Sequence, residues 1–331
     1  MRDSTKIVLL GVIALVFAFL FIGIGLNADN YQYFLSRRVP KVLAIVLAGV
    51  AIAQSSMVFQ TITHNRILTP SIMGFDALYV LTQVLIVLLF GGLSTLVLNI
   101  YVNFTIAACI MVAFSLLLFG FYFSKGSRNL ITLLLVGLIF GQLFSNVASF
   151  FSLLMDPNTF AFVQSKLYAS FNNVKVNLVY FSAPMLILAC WLLFRMHRTL
   201  DVFWLDQDNA KSLGVDVPKV TRNVFILSAL LIAISTALVG PIMFFGLLVT
   251  NLSREMFHSY QHKTLLIGCS LLAISSLLSG QWIIENVFNF ETTLSVVINF
   301  LGGIYFLYLL LKNKSYKHDS HRETNQSIWF E

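Results

Sequence analysis

Apolar residues in this chain come in long, nearly unbroken runs rather than in alternation. Ten stretches carry almost no charge: 7–25, 40–61, 72–90, 95–123, 130–154, 176–195, 222–239, 241–256, 264–280 and 293–311. A helix needs about 20 apolar residues to cross a hydrocarbon core of roughly 30 Å, and backbone in lipid must satisfy its own hydrogen bonds. The pattern predicts an all-α polytopic membrane protein with about ten transmembrane helices. Two runs are weaker. The stretch 241–256 is short and starts at Gly240-Pro241, and 40–61 is diluted by Gln54, Ser55, Ser56 and Gln60.

The segments between the runs sort the basic residues. With the N-terminus placed inside, Arg37, Arg38, Lys41, Lys166 and Lys175 fall outside, and the other sixteen of the 21 Lys and Arg residues fall inside. Inner loops collect Lys and Arg, so the split predicts cytoplasmic termini and an even number of spans. The run after Arg2 and Lys6 is too long for a signal-peptide core, and Asn27-Ala28-Asp29 is a poor cleavage site. It is expected to remain as the first helix. The chain is 58% hydrophobic and 11% charged, against about 25% charged in soluble domains. Topology accounts for the net charge of +7 better than nucleic-acid binding does.

Polar residues within the runs follow helical spacing. Gln142, Ser145, Asn146, Ser149 and Ser152 share one face, which predicts a wet lining rather than a lipid surface. Ser295 and Asn299 share a face of the last run with Gly302 and Gly303. Gly49, Ala53, Ser56 and Gln60 share one on the second, where small residues suit close helix packing. Asp76 is an acid inside a run, the other being Glu255 at the last turn of 241–256; we expect Asp76 near the cytoplasmic end in a structural role, pairing with Arg66 or capping.

The longest inner loop, about 196–221, carries local signals. Asp206 is a candidate N-cap, 207–213 a short helix, Gly214 its C′ residue, and Pro218 the first turn of another short helix. A short helix at the membrane surface suits docking of a partner. The outer loop 156–175 has room for an interfacial helix.

Several chemistries lack their motif. No GxxxxGK[ST], HExxH or GxSxG occurs, so ATP binding through a P-loop is not expected. His258 and His262 stand at i, i+4 without a third ligand and read as a solvated surface pair. Cys109, Cys190 and Cys269 sit within runs and predict no disulfide. No enzymatic activity and no bound metal or cofactor are expected.

The run Arg37 to Asp76 carries a resemblance. Arg38, Pro40, Lys41, Gly49, Gln60, Asn65, Leu68, Pro70 and Gly74 fall on the pattern of the iron-siderophore and vitamin B12 family of ABC-importer permeases. Leu205–Gly214, Gly240–Arg254 and Glu291–Leu310 are similar to three further motifs of that family, in the same order. The departures are Lys41 for an arginine, Arg66 for a proline, Thr250-Asn251 for Pro-His, and Glu291-Thr292-Thr293-Leu294-Ser295 for E-L-P-x-G. The run Asn65 to Asp76 looks most like the branch for catechol-type ferric siderophores.

The resemblance implies a single permease domain, 1–331, of inverted-repeat type II construction, with a coupling loop at about 196–221 and a tail at about 312–331. It implies import of a ferric siderophore driven by a separate cytoplasmic ATPase dimer that uses the ATP. A second permease subunit and an extracytoplasmic binding protein complete the implied assembly, in the cytoplasmic membrane. Arg37, Arg38 and Lys41 would dock the binding protein. Leu205, Asp206, Ala210, Leu213 and Gly214 would couple to the ATPase. Gln142, Ser145, Asn146, Ser149, Ser152, Ser295 and Asn299 would line the path. A cobalamin or haem permease of the same family, or an ion-coupled secondary transporter, stands as the alternative.

Overall fold

The computed structural model describes residues 2–23, 31–92, 94–124, 130–167, 171, 174–205, 207–288 and 292–327. Among these, every regular element is helical: α1 (Asp3–Gly23), α2 (Tyr31–Thr63), α3 (Phe75–Phe90), α4 (Thr95–Leu98), α5 (Ile100–Ser124), α6 (Leu130–Leu153), α7 (Pro157–Leu167), α8 (Val176–Arg195), α9 (His197–Phe203), α10 (Gln207–Ser212), α11 (Val217–Val239), α12 (Phe245–Met256), α13 (His262–Asn286) and α14 (Leu294–Ser327). A 3-10 turn, Pro70–Met73, precedes α3. Each apolar run falls on one main helix, with 95–123 broken at Asn99 between the short α4 and α5. Among the described residues, seven helices are long and apolar enough to cross a membrane. The helix α12 has only 12 residues, about 18 Å at 1.5 Å per residue. It begins at Phe245, not at Pro241, because the chain from Gly240 to Phe244 is not helical.

The buried centre is α2. It runs antiparallel to α11, crossing where the Ser228 hydroxyl lies 3.5 Å from the Ser55 carbonyl and Phe59 meets Phe225 edge-on at 5.1 Å. It also runs antiparallel to α13, where Gln54 donates to Ser270 at 3.3 Å. Gly49 allows the approach, since a Cβ there would sit 3.1 Å from Leu277 Cδ1. Hydroxyls on these helices mostly return to the carbonyl one turn back, as Ser270 does to Leu266 at 2.7 Å and Thr61 to Met57 at 3.0 Å. Such return bonds let Ser and Thr lie within an apolar bundle.

Two halves repeat one packing scheme. The helix α2 packs on α13 as α11 packs on α5, and α3 lies on α6 as α12 lies on α14. In each half a broken segment opened by a proline sets a side chain on a glycine. Met73, three residues after Pro70, meets Gly137 at 3.1 Å from its ideal Cβ position; Phe244, three after Pro241, sits directly against that position at Gly302. Because α2 and α11 are antiparallel, the halves point in opposite directions, as in inverted repeats.

Local expectations fared unevenly. The outer loop holds α7. Pro218 opens no separate short helix: it is in the first turn of α11, whose N-cap is Asp216. His258 and His262 are not a surface pair, because His262 is fully buried at the start of α13.

Candidate functional site

A cavity of about 530 Å³ opens between the Pro70–Met73 turn, α3, α6, α7, α14 and the 240–244 segment. Its polar wall is made by Ser71, Asp76, Gln142, Ser145, Gln164, Ser295 and Asn299, set among Ile72, Val80, Leu138, Phe244 and Phe306. Gly74 makes the wall possible. Its φ of +91° suits a residue without Cβ, and an ideal Cβ would sit 2.7 Å from Gly141 Cα on α6, so the backbones can touch only through glycine.

The polar face of α6 divides. Gln142 and Ser145 line the cavity together with Ser295 and Asn299. Asn146 and Ser149 are exposed on the outside of the single chain. Ser152 donates to the Ala148 carbonyl at 2.8 Å and is not among the lining residues.

Asp76 does not pair with Arg66 and does not lie at the end of the bundle that carries residues 207–214, the end expected to be cytoplasmic. It is buried and accepts from Thr236 at 3.4 Å, near the far end of α11. The chain re-enters the bundle before α3 starts, which carries Asp76 inward. Its Oδ2 and the Oδ1 of Asn299 are buried oxygens without a hydrogen-bond partner. Intramembrane carboxylates are costly and tend to serve function. The sequence signal was present, in that Asp76 is an acid within a run and not beside a basic residue as Glu255 is; its depth was not.

The inner loop is built around Gly214. Its φ is +84°, the Val215 N–H reaches the Ala210 carbonyl at 3.0 Å and the Gly214 N–H the Lys211 carbonyl at 2.9 Å. These are the paired bonds of a Schellman cap. Ala210 is fully buried and holds α10 to the bundle, whereas Leu205 and Leu213 are 58% and 64% exposed. Asp206 lies outside the described residues. Asp216 accepts from the Lys219 backbone N–H at 3.2 Å and pairs with its ammonium at 2.8 Å. Hydrogen bonding by the Lys219 side chain and then its backbone holds the Asp216 carboxyl below its ordinary range.

At the opposite end of the bundle, the three basic residues differ. Arg37 is exposed and lies over the Tyr33 ring at 4.9 Å. Arg38 is half-buried, donates to the Ile22 carbonyl at 3.0 Å and covers Phe34 at 4.8 Å. Lys41 turns inward to an ion pair with Glu285 on α13, which the sequence reading missed.

A polar cluster beside the inner loop was also missed. The Asp201 carboxylate on α9 accepts the His262 backbone N–H at 2.6 Å and meets its ring Nδ1 at 2.8 Å. His262 Nε2 lies 2.8 Å from Thr61 Oγ1 on α2, to which Arg254 on α12 donates at 3.3 Å. The Arg254 guanidinium covers the Trp204 ring at 4.6 Å. Among the described residues, no group of three or more His, Cys, Asp or Glu could hold a metal.

The sequence profile of the FecCD transport family matches residues 4–312. The petrobactin import system permease protein YclO of Bacillus subtilis (strain 168) is 48% identical over 317 residues, covering 96% of this chain and 100% of that protein. The petrobactin import system permease protein FatC of Bacillus anthracis is 32% identical, covering 88% of this chain and 82% of its own. A solved inward-facing structure assigned to the metal-chelate type of ABC transporter superposes with a TM-score of 0.81 at 24% identity, covering 94% of this chain and 100% of its own.

Proposed function

Because the chain belongs to the FecCD transport family, we propose that it is the permease subunit of an ABC importer that passes a ferric siderophore through the cytoplasmic membrane. The whole-length likeness to a petrobactin permease carries this reading, and petrobactin is the first cargo to test. A separate ATPase dimer supplies the energy and an extracytoplasmic binding protein delivers the cargo. Both termini lie in the cytoplasm, the side on which the positive-inside count places them.

The cavity serves as this chain's half of the path. Gln142, Ser145, Ser295 and Asn299 offer the cargo uncharged hydrogen-bonding groups that release it again. Asn146 and Ser149, exposed on the helix that also exposes Ile139, Leu143 and Phe150, have no place against lipid tails. They face a second permease subunit, which we take to be a related chain rather than a copy, and extend the path across the dimer. Ser152 closes the same face at its outer end.

The surface formed by Leu205, Leu213 and the Gly214 turn seats in a groove of the ATPase. Asp206 belongs to that segment, and Ala210 fixes its orientation from behind. Arg37 and Arg38 meet carboxylates of the binding protein, steering encounter and register. Lys41 supports them from its ion pair. Deleting the chain's gene should abolish growth on ferric petrobactin as sole iron source, and restoring it should restore growth. Unimpaired growth of the deletion strain, with no other permease induced, would remove petrobactin as cargo.

A further inference from the structure

The polar cluster at the inner end forms a closed circuit through four elements. Asp201 on α9 holds the start of α13 by accepting two bonds from His262. It thereby caps that helix from outside, since Gln261 at the N-cap position makes no side-chain cap bond. His262 meets Thr61 near the end of α2. Thr61 accepts from Arg254 in the last turn of α12, and Arg254 returns to α9 by covering Trp204, the C-cap residue of that helix.

We propose that this circuit is the joint through which motion of the ATPase-docking segment reaches the helices that wall the cavity, with Asp201, His262, Thr61, Arg254 and Trp204 as positioning residues. The proposal rests on the permease reading above. Three observations carry it. Trp204 is followed directly by Leu205, the start of the docking segment, so a push on α10 arrives first at the end of α9. The grip of α9 falls on three helix ends and not on one, so a displacement is shared by α2, α12 and α13. The segment entering α12 carries Phe244, which lines the cavity and seats on Gly302 of α14, so movement of α12 changes the cavity wall.

Thr61 gives the joint two states. Its side chain is fully buried, and its single hydroxyl proton has two acceptors: His262 Nε2 at 2.8 Å and the Met57 carbonyl one turn back at 3.0 Å. With Nδ1–H donating to Asp201, the neutral ring presents Nε2 as an acceptor. The proton directed to His262 links α2 to α13 and α9; directed to Met57 it releases them. A device that transmits must have two such discrete arrangements.

The test uses the complete complex, isolated from membranes through a tag on this chain and placed in proteoliposomes. Radioactive iron complexed by petrobactin serves as probe, and iron imported per ATP hydrolysed is the readout. Thr61→Val keeps shape and burial but removes the proton. It should hydrolyse ATP yet import at least about fivefold less iron per ATP, the lower bound of ordinary coupling between sites, and Thr61→Ser should restore the ratio. Trp204→Leu opens the circuit at its other side and should give the same loss. The double variant should be no worse than the poorer single one, because both break one circuit. Wild-type ratios in Thr61→Val or, if that protein fails to assemble, in Trp204→Leu overturn the proposal, as do additive losses in the double variant. Should the wild-type complex itself import nothing with ATP, the permease reading fails, whereas normal wild-type and normal variants together reject the joint alone.

Discussion

Lys41 of α2 and Glu285 of α13 form an ion pair that ties together two helices 244 residues apart in sequence. Their side chains retain only 16% and 19% of their exposure, so the two charges attract with little screening by water. Removing one partner takes the neutralising charge away from the other in a partly desolvated site, although Gln281 still donates to Glu285 at 2.7 Å, at a cost of about 1–2 kcal/mol once residual screening is allowed for. Glu285→Gln and Lys41→Met should each lower the melting temperature of the purified protein. The charge swap Lys41→Glu with Glu285→Lys should recover most of the loss. Equal melting of all four proteins contradicts the pairing. Salt-sensitive capture by the binding protein should follow Arg37→Glu more steeply than Lys41→Met.

The approach of Gly74 to Gly141 makes a sharper prediction. Gly74→Ala places a Cβ against backbone and in a left-handed conformation, so about 1–2 kcal/mol of conformational strain adds to overpacking of roughly 1–3 kcal/mol. Gly214→Ala carries the strain alone, because nothing stands within 4 Å of that position. Thermal melts should therefore rank wild type above Gly214→Ala and Gly214→Ala well above Gly74→Ala. Reversal of the last two would show that the Pro70–Met73 turn and α6 do not touch as described.

Asp76 separates charge from shape. Asp76→Asn can still accept from Thr236, so packing should survive and the melting temperature should change little. If the carboxylate meets the cargo, uptake should fall about tenfold, the value of one hydrogen bond to a charged group. Uptake kinetics of the iron-loaded probe decide it, and unaltered uptake in Asp76→Asn takes Asp76 out of the path.

The proposed docking segment divides by exposure. Leu213→Asp and Leu205→Asp alter surface residues and should leave the permease folded while weakening capture of the ATPase. Ala210→Asp buries a charge behind α10 and should reduce folded protein in the membrane. Pull-down of the ATPase, compared with the amount of folded permease, tells the two apart. Normal capture by the Leu205→Asp, Leu213→Asp double variant contradicts the assignment.

The spans were legible because hydropathy and the positive-inside bias act locally along the chain. So was the turn at Gly214, where a single φ requirement selects the residue. The cavity wall was half legible: the spacing on α6 identifies the polar face, but which of its residues meets the cavity depends on α3 and α14. Asp76 was misplaced because the re-entrant segment before α3 carries it inward, and hydropathy does not register a broken helix. Lys41 and His262 were read as solvent-facing for a similar reason. Their partners, Glu285, Asp201 and Thr61, come from remote segments, and no periodicity links them.

Transport by the assembled complex tests the account most directly. Proteoliposomes containing this chain with its partner permease and ATPase should accumulate iron-loaded petrobactin when ATP is supplied on the ATPase side, and should stop when the ATPase is omitted. Accumulation by this chain alone, driven by an ion gradient and indifferent to ATP, would contradict it.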